Sequence, residues 1–137
     1  MAQIRKKYNV TAAIIIRGSK ILIARRAPDK HLAGFWEFPG GKIEKDETPE
    51  ECLKREIEEE LGIIVNVDKF FMENEHDYKE KTIFLKAYFC KLISGKIILK
   101  DHDQYEWIKK TELNKYIFAP ADIPFVTALN GKRKKTE

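Results

Sequence analysis

Two apolar, β-branched runs open the pattern along this chain. Residues 10–16 (VTAAIII) and 21–25 (ILIAR) are separated by Arg17-Gly18-Ser19-Lys20, and this spacing predicts a β-hairpin. A polar loop over 26–36 follows, with Pro28, Asp29 and Gly34. It leads into Glu37-Phe38-Pro39-Gly40-Gly41, whose glycines permit close approach of backbone to a ligand. The period then changes from strand to helix. Leu53, Ile57 and Leu61 recur at i, i+4 and i+8, an apolar stripe that faces a core. Thr48 is a good N-cap, Pro49 suits the first helical position, and Glu51 completes a capping box. With Gly62 as the stop signal, the pattern predicts a helix over residues 49–61.

Beyond it, residues 65–72, 82–92, 96–99 and 104–108 are predicted strands, 112–116 a helical turn, and 124–129 the start of a last helix. Strands, a helix, more strands and a closing helix imply an α+β fold, a mixed sheet flanked by helices in an α/β/α sandwich. A length of 137 residues predicts one domain, with its body over about 8–130 and short basic ends.

The net charge of +4 is concentrated in those ends. Arg5, Lys6 and Lys7 lie at one end, and Lys132, Arg133, Lys134 and Lys135 at the other. Residues 8–130 hold 19 basic and 21 acidic side chains, so the body has no dedicated nucleic-acid surface. The ends are expected to be solvated tails. No apolar run approaches the length of a membrane span, and no charged-then-apolar leader follows Met1. Cys52 and Cys90 have no metal or redox spacing. The expectation is a reduced, cytoplasmic protein.

The chemistry is concentrated in residues 41–63. Glu56, Glu59 and Glu60 stand at i, i+3 and i+4, beside the apolar stripe of the predicted helix. Like charges clustered past the first turn are unfavourable unless something positive sits among them. An all-oxygen set suits Mg²⁺, with Mn²⁺ as the substitute, over zinc. Glu50 and Glu58 are expected to be solvated. Arg55 can fix a carboxylate through paired hydrogen bonds, and Glu47 is its expected partner or an outer-shell ligand.

Gly41, Glu47, Arg55, Glu56, Ile57, Glu59, Glu60, Gly62 and Ile63 together match a Nudix box without a mismatch. The flanking text HLAGFWEFPGGKIEKDETPEE resembles the MutT branch of that family. The resemblance implies metal-assisted hydrolysis of a nucleoside triphosphate to the monophosphate and pyrophosphate, in nucleotide-pool sanitation. It implies metal ligation by Glu56, Glu60 and the backbone carbonyl of Gly40, with Glu59 as ligand or outer shell. A further acid six residues before Trp107 falls on Asp101, with Asp103 and Glu106 as competitors. For the nucleotide the resemblance points to Arg26, His31, the segment Glu37-Phe38-Pro39-Gly40, and Asp122.

Asp122 departs from the 8-oxoguanine-reading pattern, which has Asn there; PADIP is closer to the CTP and methyl-dCTP pyrophosphohydrolases. An ionised carboxylate accepts hydrogen bonds from either cytosine or guanine N–H groups, so the base stays open. Asp122 could equally cap the last helix. Two alternatives stand beside this reading. One is a pyrophosphohydrolase of RNA 5′ ends or dinucleoside polyphosphates, and the other is a non-catalytic nucleotide-binding module. The expected partner is a small nucleotide, with no stable nucleic acid and no membrane, and the protein a monomer or homodimer.

Overall fold

The structure is a computed structural model that describes residues 5–131. Strands β1 (Lys6–Arg17) and β2 (Lys20–Arg26) form the predicted hairpin, with Gly18 at φ 61° in its two-residue turn. A short β3 (Trp36–Glu37) precedes helix α1 (Pro49–Leu61). Then come β4 (Ile64–Tyr78), β5 (Lys81–Ser94), β6 (His102–Lys109) and helix α2 (Ile123–Asn130). Short 3-10 segments at Lys110–Lys115 and Pro120–Asp122 lead into α2.

The helix α1 has its predicted bounds because every terminal device is in place. Thr48 Oγ1 accepts from Glu51 N–H at 3.0 Å, Glu51 Oε1 accepts from Thr48 N–H at 2.9 Å, and Gly62 closes the helix at φ 71°. The sheet runs β3-β2-β1-β5-β4, with β6 also paired to β2. It is mixed, because β1 and β5 are parallel over Lys6↔Lys81 to Ile16↔Lys91 while the other pairs are antiparallel.

Alternate residues of β1 point to opposite layers. Ala13 and Ile15 join Leu53, Ile57 and Leu61 under α1, whereas Ala12 and Ile14 join Phe118, Phe125 and Leu129 under α2. This is the expected three-layer α+β arrangement, and burial on both faces explains why 10–16 is an uninterrupted apolar run. Among the described residues no helix is long and apolar enough to cross a membrane.

Two expectations are corrected here. Residues 96–99 form no strand: Ile98 N–H donates to Leu61 O at 2.9 Å, at the end of α1. Ile97 and Leu99 pack into the α1 layer, so their apolar pattern reflects contact with a helix and not with a neighbouring strand. The N-terminal basic end is no loose tail either. Lys6 and Lys7 belong to β1, and Arg5 Nη1 donates to Tyr78 O at 2.6 Å. The C-terminal basic end, residues 132–137, lies outside the described residues.

Candidate active site

The site starts where β1 and β2 part. Their pairing stops at Ile16↔Ile21, and residues 39–43 take the vacated edge of β1. Ala13 N–H donates to Pro39 O at 2.7 Å, Thr11 N–H to Gly41 O at 2.8 Å, and Ile43 N–H to Asn9 O at 2.9 Å. Glycine leaves room for a neighbour at both contact points, a backbone at Gly40 and a side chain at Gly41. A Cβ on Gly40 would stand 2.0 Å from the Thr11 carbonyl oxygen, and one on Gly41 would stand 2.3 Å from the Glu56 carboxyl carbon. The loop is thus wedged between a strand backbone and a helix carboxylate.

Helix α1 sends Glu56 and Glu60 into the adjoining cleft, which has a volume of about 480 Å³. At 3.6 residues per turn these two lie only about 40° apart around the helix, while Glu59 lies about 100° from Glu60. Glu59 is accordingly exposed and stands off the cleft wall. Burial first, then the negative charges of Glu56 and Glu37, push the Glu60 carboxyl up to about 9. Two half-buried carboxyls on one cleft wall, an all-oxygen pair, fit a hard divalent cation. Among the described residues no three His, Cys, Asp or Glu side chains converge as a complete cage. A cation between Glu56 and Glu60 would therefore complete its shell from backbone, water or phosphate oxygens.

Arg55 is the hub of the neighbouring carboxylates. Its Nε and Nη2 meet the two Glu47 oxygens at 2.6 and 3.0 Å, and its Nη1 meets Glu56 at 3.0 Å and Glu59 at 3.2 Å. Hydrogen bonds from Arg55 hold the Glu47 carboxyl down at about 2. Neither Glu47 nor Arg55 lines the cleft; both act on Glu56 from behind.

The opposite wall carries the residues expected to meet a nucleotide. Arg26 Nη1 donates to both Glu37 oxygens, at 3.1 and 3.3 Å, and its Nε donates to the His31 carbonyl. His31 also meets Tyr78 edge-on at 5.7 Å, and burial, Lys81 and Arg26 lower its pKa. The preceding Arg25 is turned away by a bulge in the β2–β6 pairing and forms a paired salt bridge with Asp103 at 2.8 and 2.9 Å. Asp101 does line the cleft, half exposed and 3.3 Å from Lys30 Nζ, whereas Asp103 and Glu106 do not. Of the segment 37–40, Glu37, Phe38 and Gly40 line the cleft, and Pro39 is buried against β1.

Asp122 closes the wall. It is 5% exposed, and its Oδ2 accepts from Phe38 N–H at 2.9 Å. It makes no side-chain cap on α2, so the capping expectation fails. The carboxyl was needed elsewhere, by a backbone N–H on the far side of the cleft. Burial and the charge of Glu37 push its pKa well above the usual carboxylate range. Tyr78 and Asn74 hold its turn, through Ala121 N–H to Tyr78 Oη at 3.1 Å and Asn74 Nδ2 to Ala121 O at 2.9 Å.

Lys30 and Tyr78 also line this wall, with no sequence signal to find them, and His102, expected to be structural or solvated, joins them. Its place beside Asp101 was the sequence signal for His102, but only packing shows the imidazole buried against Glu37.

The family model for the NUDIX domain matches residues 11–128. The CTP pyrophosphohydrolase of Escherichia coli (strain K12) is 38% identical over 128 residues, covering 93% of this chain and 95% of that protein. The 8-oxo-dGTP diphosphatase of the same strain is 36% identical over 125 residues, covering 90% of this chain and 97% of that one. Among solved structures, that of the E. coli ORF135 protein superposes with a TM-score of 0.78 at 36% identity, covering 96% of each chain.

Proposed function

The chain belongs to the Nudix family, as a hydrolase of MutT type, and from that premise we propose that it cleaves nucleoside triphosphates to the monophosphate and pyrophosphate with Mg²⁺. The observation that carries the reading is the meeting in one cleft of the Glu56–Glu60 pair with Arg26, Glu37 and Asp122. Phosphate chemistry and base recognition each have a wall. The relatives named for CTP and for 8-oxo-dGTP support nucleotide-pool sanitation as the role, on cytoplasmic free nucleotides and not on nucleic acid.

Glu56, Glu60 and the Gly40 backbone would hold the cation, which supplies charge for the phosphate oxygens and lowers the pKa of the attacking water. Arg55 keeps Glu56 oriented, and Glu47 keeps Arg55 in place. The Arg26 guanidinium lines the approach to the base beside Glu37. Asp101 is our further acid on the cleft wall, although Lys30 shares its charge. Asp122 spends Oδ2 on Phe38, leaving its second oxygen for the base. When protonated it can donate as well as accept, which suits a cytosine edge offering one acceptor and one amine.

A panel of 8-oxo-dGTP, dGTP, CTP, 5-methyl-dCTP and capped RNA, scored for pyrophosphate release with Mg²⁺, tests this. Release from at least one free nucleotide is expected, and its loss in a folded Glu56→Gln variant. Turnover of the RNA alone would reject the reading. A nucleotide that binds without being hydrolysed would make the protein a binding module.

A further inference from the structure

His102 is a strongly buried polar side chain of the cleft wall that has no part in the proposed chemistry. Its side chain is 2% exposed, at the first position of β6 and directly across from Arg26 at the bulge. Its Nε2 lies 2.8 Å from Glu37 Oε2, and its Nδ1 is buried without a hydrogen-bond partner. That contact is shorter than either bond from Arg26 to Glu37. A carboxylate oxygen accepts, so the contact assigns Nε2 as the donor.

Glu37 needs such a tether. Its carboxylate opens onto the cleft beside Asp122 and Glu60, and a partly exposed glutamate side chain has rotamers that turn it aside unless it is held. Arg26 alone is a poor anchor, because its guanidinium also serves the His31 carbonyl. A ring fixed in the sheet between strand neighbours has no such freedom.

We propose that His102 is a specificity-determining positioning residue, whose Nε2–H locks the Glu37 carboxylate in the orientation from which it reads the nucleotide base. The proposal rests on the nucleotide reading of the cleft. Among the described residues the one side-chain hydrogen bond of His102 is to Glu37, and it makes none to Glu56 or Glu60. Its effect passes through Glu37.

The test is steady-state kinetics on the same nucleotides for His102→Asn and His102→Gln. Glutamine carries an N–H to about the place of Nε2, and asparagine falls short of it. We expect His102→Asn to reduce the preference between the best nucleotide and the others roughly tenfold, the scale of one charged hydrogen bond. The loss should fall on KM more than on kcat. His102→Gln should restore most of it, and in a Glu37→Gln background His102→Asn should add nothing. Preference intact in His102→Asn, an equal kcat loss for every nucleotide, or an undiminished effect beside Glu37→Gln would overturn the proposal. Should His102→Asn not fold, ¹⁵N NMR of the unaltered protein decides: the proton must be on Nε2, and an Nδ1–H ring would reject the tether. A wild-type enzyme that hydrolyses none of the nucleotides defeats the underlying reading instead, and the NMR result still judges the His102–Glu37 contact.

Discussion

The Asp122 carboxyl accepts a 2.9 Å hydrogen bond from the backbone N–H of Phe38, 84 residues earlier in the chain. This bond ties the turn before α2 to the segment between β3 and the glycines, so the Asp122 wall of the cleft and the glycine loop are one mechanical unit.

Asn at this position keeps an acceptor for the Phe38 N–H and imitates the neutral acid. Asp122→Asn should therefore fold with nearly wild-type stability, whereas Asp122→Ala strands the buried N–H and costs about 1–3 kcal/mol. The raised carboxyl stabilises the fold below its unfolded value near 4, and that contribution is lost as pH rises through the folded value. Asp122→Asn should flatten this decline, which thermal melts between pH 5 and 8 would reveal. The variant should also shift base preference in the nucleotide panel. No change in preference would remove Asp122 from recognition.

The two glycines should fail differently. Gly40→Ala drives a methyl into the Thr11 backbone, which cannot move without disturbing β1, so a loss of about 1–3 kcal/mol in thermal stability is expected. Gly41→Ala meets only the end of the Glu56 side chain, which can swing away. Its Tm should stay close to wild type while turnover falls roughly hundredfold, the usual cost of misplacing a reacting group by about 1 Å. Equal melting temperatures for the two variants would contradict the placement of the loop.

Metal and protons should compete at Glu60. Without metal, the carboxyl at about 9 contributes stability below its unfolded value near 4.5, and the contribution disappears as pH rises through 9. Millimolar divalent cation should raise the wild-type Tm above neutral pH. Glu60→Gln should show neither the alkaline decline nor the metal response. A full metal response in that variant would exclude Glu60 as a ligand.

Arg55 should not be replaceable by Lys, which carries the charge but lacks the planar fork. In Arg55→Lys we expect at least tenfold lower activity at unchanged metal concentration, read as kcat/KM. Carboxyl ¹³C titration should find Glu47 moving from about 2 toward its ordinary value. The sign is opposite to that of Glu60. The Glu47 contact stabilises above about 4.5 and weakens only as pH falls toward 2.

Local rules made much of this legible before any coordinates. The helix over 49–61 was readable to the residue, because its cap, first-turn proline and terminal glycine all act within four positions of the chain. The hairpin and the apolar stripe are equally local. Glu47 was expected as a partner of Arg55 or an outer-shell ligand, and it is the Arg55 contact that forms. The failures were contacts between distant segments. Residues 96–99 lost their predicted strand to the end of α1, and Asp122 was drawn from a helix cap to Phe38.

The sequence by itself therefore determined the helix, its carboxylates, the glycines that precede them and, through them, the family. Periodicity and capping depend on neighbours a few residues apart, and the chain states those directly. Only the tertiary structure decided which carboxylates face one cleft, that Glu59 stands off it, and that His102 and Arg26 share Glu37. Those outcomes depend on where a β-bulge falls and on which buried groups need partners, and both are settled only when remote segments pack together.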